Sequence, residues 1–131
     1  MQMNHQIVLV VSEERAYGSL LMKSIEKDFP GLKVDITDCG ENALKYMRES
    51  KVCLIITDFR LHGMGGLNLF YEIKKKYSDV KIILLYNPLD SKLKDRQKME
   101  GLFGSLEKPF LMERLMELVR RVLVNWEGKK E

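Results

Sequence analysis

Cysteine, proline and tryptophan are scarce in this chain: two, three and one among 131 residues. The two cysteines, Cys39 and Cys53, form no Cys-x-x-Cys pair and no His/Cys cluster. That argues against a structural zinc site. Cys53 lies inside an apolar stretch and reads as plain core. Long hydrophobic runs are missing too. None approaches the roughly 18 apolar residues that a bilayer span needs. The polar start "MQMNHQ" has no signal-peptide pattern. A soluble, cytoplasmic protein with reduced thiols is the expectation. Excess charge of one sign is small, since 22 basic and 19 acidic residues leave a net charge of +3. That is too weak to imply direct nucleic-acid binding. The basic groups are Lys74, Lys75 and Lys76; Lys92, Lys94, Arg96 and Lys98; Arg120 and Arg121; and Lys129 and Lys130. Acids lie between most of them, as on solvated helix faces. There is no internal repeat, linker or low-complexity segment, and the length fits one domain. With 45% hydrophobic residues, a chain of this size can bury a core without metal or disulfide support.

What is present is a hydrophobic period that switches repeatedly. "IVLVV" (residues 7–11) is a continuous β-branched run, as in a strand buried on both faces. A helical pattern follows, with Tyr17, Leu20, Leu21, Ile25 and Phe29 on one face, and "FPG" stops it. "LKVDIT" (32–37) alternates like a strand. Gly40 opens a helix with Ala43, Leu44 and Met47 on one side. "VCLIIT" (52–57) is a second buried strand, ending at Asp58. Gly63, Gly65 and Gly66 precede a helix carrying Leu67, Phe70, Ile73 and Tyr77. "VKIILLY" (80–86) is a strand broken by Asn87 and Pro88. "DSKLKDRQKMEG" has the length of a helix but few apolar residues, chiefly Leu93 and Met99, and predicts a thin one. "LFGSL" (102–106) is a short strand. A last helix places Leu111, Leu115, Leu118, Val119, Val122, Leu123 and Trp126 on one face, with Met112 and Met116 as filler. Five strands alternating with five helices argue for a parallel sheet covered on both faces.

In such a sheet, ligands bind beyond the carboxyl ends of the strands. The residues found there are Ser12, Glu13 and Glu14, then Asp58, then Tyr86 and Asn87, then Lys108. Glu13, Asp58 and a backbone carbonyl form an oxygen donor set suited to Mg²⁺. Lys108 adds a fixed positive charge. A carboxylate beside a divalent cation and an ammonium is suited to accept a phosphoryl group by in-line attack. His5 and His62 read as surface residues.

Several stretches carry a family resemblance over most of the chain. They are "IVLVVSEERAYGSLL", "TDCGENAL", "LIITDFRLHGMGGLNLF" and "GSLEKPF". Together the chain resembles the receiver domain of two-component response regulators. The resemblance implies a flavodoxin-like, three-layer α/β/α sandwich with five parallel strands in the order 2-1-3-4-5 and five helices. It assigns residues 1–126 to the receiver domain and 127–131 to a disordered tail. It makes Asp58 the phosphoacceptor, Glu13 the acid that binds Mg²⁺, Arg60 the donor of a backbone carbonyl to that metal, and Lys108 the phosphoryl contact. The Lys108–Pro109 peptide is expected to be cis. Implied partners are a histidine kinase or phosphotransfer protein, and a downstream target or fused output domain. The signalling surface, and the surface for a homodimer, is the face formed by the fourth helix, fifth strand and fifth helix. The resemblance implies no enzyme in its own right.

The departures bear on the same site. Ser12 stands where the family has an acid, and Glu13 is one methylene longer than the usual Asp. Tyr86 replaces a Thr or Ser on strand four, and Ser105 replaces an aromatic on strand five. Ser12, Tyr86, Asn87 and Ser105 are therefore the positions where phosphoryl binding and its switch would differ, and the magnesium site is weakened. The alternative expectation is a degenerate receiver that acts as a phosphorylation-independent interaction module. A flavin site is disfavoured because "SEERAYG" is too acidic and bulky for a phosphate loop.

Overall fold

The computed structural model describes residues 6–90 and 101–130, with side chains described through 123. The apolar runs become the strands β1 (Ile7–Val11), β2 (Lys33–Thr37), β3 (Val52–Asp58), β4 (Lys81–Tyr86) and β5 (Gly104–Glu107). The helices between and after them are α1 (Arg15–Asp28), α2 (Gly40–Glu49), α3 (Gly66–Lys76) and α4 (Met112–Lys130). All strand pairs are parallel, in the order β2-β1-β3-β4-β5. The thin helix expected in "DSKLKDRQKMEG" falls largely on residues 91–100, with Leu93 and Met99, and lies outside the described residues. So do His5 and the side chain of Trp126.

Strand periodicity decides which residues meet which helices. Val8 and Val10 of β1 face one way, with Leu54 and Ile56 of β3 and Ile83 and Leu85 of β4. They pack on Leu21 and Ile25 of α1 and on Leu115, Met116, Val119 and Val122 of α4. Ile7, Leu9, Val11, Ile55, Ile82 and Leu84 face the other way. They pack on Ala43 and Met47 of α2 and Leu69, Phe70 and Ile73 of α3. The three layers are thus α1 and α4, the sheet, and α2 and α3. Each fully buried Leu or Ile contributes about 1.5–3 kcal/mol relative to exposure, and β3 is buried along its whole length. Cys53 and Met116 are core, as the sequence predicts.

Some expectations need correction. Leu20 is 53% exposed. The buried stripe of α1 runs through Gly18, Leu21 and Ile25, and Leu20 falls off its edge because the helix turns 3.6 residues per cycle. Leu111 is 66% exposed because it precedes α4 instead of belonging to it. The tail expected at 127–131 is helical as far as Lys130. Glu and Lys are good helix formers, and a single Gly costs only about 1 kcal/mol. No helix among the described residues is long and apolar enough to cross a membrane.

The chain leaves β1 toward β2 on one side and later reaches β3 on the other. The carboxyl ends of β1 and β3 therefore flank the crevice where strand order reverses, the usual ligand position in an open α/β sheet. Asp58 and Glu13 stand there.

Candidate functional site: an aspartate and a lysine at the sheet's switch point

Asp58 is the last residue of β3 and is only 6% exposed. The backbone after it is tied to β4, since the Phe59 N–H donates to the Leu85 carbonyl at 2.7 Å. Gly66, the first residue of α3, lies against that same backbone and donates its N–H to the Phe59 carbonyl at 2.9 Å. A Cβ at Gly66 would stand 2.3 Å from the Asp58 carbonyl oxygen, so only glycine permits this approach. Gly63, at φ 72°, uses the same freedom in the loop between.

Lys108 comes from the other end of the sheet. It follows β5, and its backbone N–H donates to the Tyr86 carbonyl at 2.7 Å. The Lys108–Pro109 peptide is cis, as expected. The Lys108 Nζ stands 2.8 Å from Asp58 Oδ1. This is an ion pair by distance only, because the same buried oxygen has no partner in hydrogen-bond geometry. Oδ1 retains unused acceptor capacity beside this close charge contact. The Tyr17 ring of α1 lies under the ammonium, with Nζ 4.8 Å from its centroid. Burial, then the charges of Asp58 and Glu14, push the Tyr17 phenol up to about 12.

A cleft of about 270 Å³ opens over this pair. Glu13, Asp58, Arg60, Tyr86, Asn87 and Lys108 are among its lining residues; Ser12 and Ser105 are not. Ser12 is buried, and its Oγ accepts the Glu14 N–H at 3.2 Å, so its hydroxyl serves the turn after β1. Ser105 sits within β5, in register with Leu84. Tyr86 is half-buried and packs on the α2/α3 side of the sheet. It borders the cleft without filling it. A larger groove, about 700 Å³, lies over the ends of β1 and β2. It contains neither Asp58 nor Lys108, so chemistry and not size singles out the smaller cleft.

Glu13 is turned toward the loop after β3. Its Oε1 is 2.8 Å from His62 Nδ1, and its Oε2 accepts the His62 backbone N–H. That backbone bond is the main reason the Glu13 carboxyl is held below its ordinary value. Across the cleft, Arg60 Nε lies 2.6 Å from Oδ1 of Asp90, a carboxylate whose side chain is 1% exposed. Asp90 and the His62 contact were not legible in the sequence. Among the described residues no three His, Cys, Asp or Glu side chains converge as metal donors. The oxygen set of Asp58, the Arg60 carbonyl and Glu13 nevertheless fits a hard cation that keeps several waters, given the unused acceptor capacity of Asp58 Oδ1. Glu13 would have to leave His62 to join it.

Comparison with known proteins identifies the family. The family model for the response regulator receiver domain matches residues 8–120, and the chain belongs to that family. Response regulator UvrY of Escherichia coli K12 is 29% identical over 116 residues, 88% of this chain and 53% of that protein. Response regulator GacA of Pseudomonas aeruginosa is 28% identical, over 88% of this chain and 54% of that protein. The chain thus spans about half the length of these curated relatives. A response regulator receiver protein of Pseudomonas putida superposes with a TM-score of 0.80 at 27% identity, covering 89% of this chain and 97% of that one. TrrA of Thermotoga maritima, solved in complex with Mg²⁺-BeF, gives 0.78 at 30% identity, covering 89% and 98%.

Proposed function

We propose that this receiver domain accepts a phosphoryl group on Asp58 from a histidine kinase or phosphotransfer protein. The observation that carries this reading is the 2.8 Å contact of Lys108 with a buried Asp58 at the switch point. In the transfer, an Asp58 carboxylate oxygen forms the new P–O bond. The P–N bond to the donor histidine breaks, and the imidazole leaves with the bonding pair and takes up a proton from water. Lys108 neutralises charge on the transferring oxygens, where a preset ammonium in a water-poor site acts strongly. Asp58, the Arg60 carbonyl and Glu13 would hold magnesium, which supplies further charge neutralisation when bound. The complex of TrrA with Mg²⁺-BeF supports magnesium as the metal of such a domain. The step is stoichiometric signalling, not turnover, and we place it in the cytoplasm. A downstream target or fused output domain would read it through the face of β5, α4 and the segment after β4, which is also the surface for a homodimer.

A second reading, a phosphorylation-independent interaction module, is favoured by a separate observation. Glu13 is engaged by His62, and Ser12 is committed to a turn. Incubation with Mg²⁺ and acetyl phosphate decides between the two. In that reaction acetate replaces imidazole as the leaving group. The intact protein should gain the mass of one phosphoryl group, and Asp58→Asn should gain none. No adduct on the wild type, under conditions that label an ordinary receiver, leaves the second reading standing.

A further inference from the structure

Arg60 and Asp90 come from different ends of the site. Arg60 is the second residue after Asp58; Asp90 ends the turn that follows β4. The Arg60 side chain is 70% exposed, yet its Nε lies 2.6 Å from Oδ1 of the 1%-exposed Asp90 side chain. The other oxygen of Asp90 accepts the Asn87 N–H at 2.9 Å. The Asp90 N–H returns to the Asn87 carbonyl at 3.0 Å, closing the turn 87–90. Arg60, Asn87 and Asp90 line the same cleft as Asp58 and Lys108. The turn is thus held by a buried carboxylate, and that carboxylate by a cation at the rim of the phosphoacceptor site.

Charge gives Arg60 two possible partners here. Asp58 with Lys108, and Asp90 with Arg60, are two balanced pairs. Phosphorylation replaces the single negative charge of Asp58 with about two, one more than Lys108 balances. Among the residues lining the cleft, Arg60 and Lys108 are the cations. A guanidinium matches phosphoryl oxygens as a two-pronged donor and prefers the greater charge. Drawn inward, Arg60 would leave Asp90 buried without its cation, a state that proteins relieve by moving the group toward water. The Asn87 N–H, bonded to that carboxylate, moves with it.

We propose that the Arg60–Asp90 ion pair is the element that reports occupancy of Asp58 to the turn 87–90. Arg60 is a positioning residue in this role. The proposal rests on the phosphoacceptor reading and deepens it. It gives this chain a route for the signal where Tyr86 and Ser105 stand in place of the family's Thr and aromatic.

The test uses two-dimensional ¹H–¹⁵N NMR of the whole chain, with Mg²⁺ and beryllofluoride as the phosphoryl mimic. In the wild type the Phe59 amide, the Arg60 Nε–H and the Asn87 amide should shift together. In Arg60→Gln the Asn87 amide should sit displaced before any ligand is added. It should then lose most of its ligand-induced shift, while Phe59 still responds. Asp90→Asn, which keeps an acceptor for the Asn87 N–H, should give the same loss. A pair that only supports the fold would leave the wild-type Arg60 Nε–H unmoved by the ligand. If Phe59 shifts while Arg60 Nε–H and Asn87 do not, the proposal is wrong and the phosphoacceptor reading survives. If Asn87 shifts equally in wild type and Arg60→Gln, it is likewise wrong. No shift at Phe59 overturns both.

Discussion

Glu13 and His62 hold each other across the mouth of the site, Oε1 to Nδ1 at 2.8 Å, with the His62 backbone N–H on Oε2. On the proposed reading, magnesium would have to compete with both contacts. The His62 side chain is 97% exposed, so its contribution is small and screened by water. His62→Ala should therefore tighten Mg²⁺ binding by about twofold, read from an NMR or calorimetric titration. Weaker binding in the variant would mean that His62 helps the metal instead of competing with it.

Tyr17 supplies the pH dependence. Its phenol is pushed up to about 12, by burial first and then by the charges of Asp58 and Glu14. A raised value favours the neutral form in the folded state. The stability it adds is complete below the unfolded value near 10 and is lost as pH rises through about 12. Asp58→Asn should lower the Tyr17 ionisation without returning it to the ordinary value, because burial remains. A ¹³C titration of the Tyr17 ring checks this. Ionisation at the ordinary tyrosine value in the wild type, or a full return to it in Asp58→Asn, contradicts the account.

Gly66 and Gly65 are neighbours with opposite expectations. A Cβ at Gly66 meets the Asp58 carbonyl oxygen at 2.3 Å and the Phe59 Cα at 2.9 Å, both rigid backbone. At Gly65 the nearest atom is 3.8 Å away, an ordinary contact. Gly66→Ala should cost about 1–3 kcal/mol or more, while Gly65→Ala, at the N-cap of α3, should cost less, about 0.5–1 kcal/mol. Urea unfolding with unchanged slope measures both. Equal effects would remove the steric argument.

The frame of the molecule was legible because β1, β3 and β4 are buried on both faces and write themselves as unbroken apolar runs. The meeting of Asp58 with Lys108 followed from placing strand ends together. Leu20 falls off a helical stripe whose edges are set by tertiary packing, and Leu111 lies one residue before α4, a boundary that sequence pattern does not resolve. The contacts of His62 with Glu13 and of Arg60 with Asp90 span 49 and 30 residues. They join residue types that are common on any surface, so no spacing announces them. Ser12 looked like a gap in a metal site. In the structure its hydroxyl has work in the turn after β1.

The hydrogen bond from Gly66 to the Phe59 carbonyl ties the two ends of the loop between them. The residues at 60–65 hang from that knot like an interchangeable head on a fixed handle. Arg60 reaches from it to Asp90 on one side, and His62 reaches to Glu13 on the other. Exchanging the head would retune both reaches while Asp58 stays seated. Loops tolerate such replacement where a rigid scaffold holds their ends. The exposed positions of this loop can therefore change the two reaches without moving the backbone knot behind Asp58.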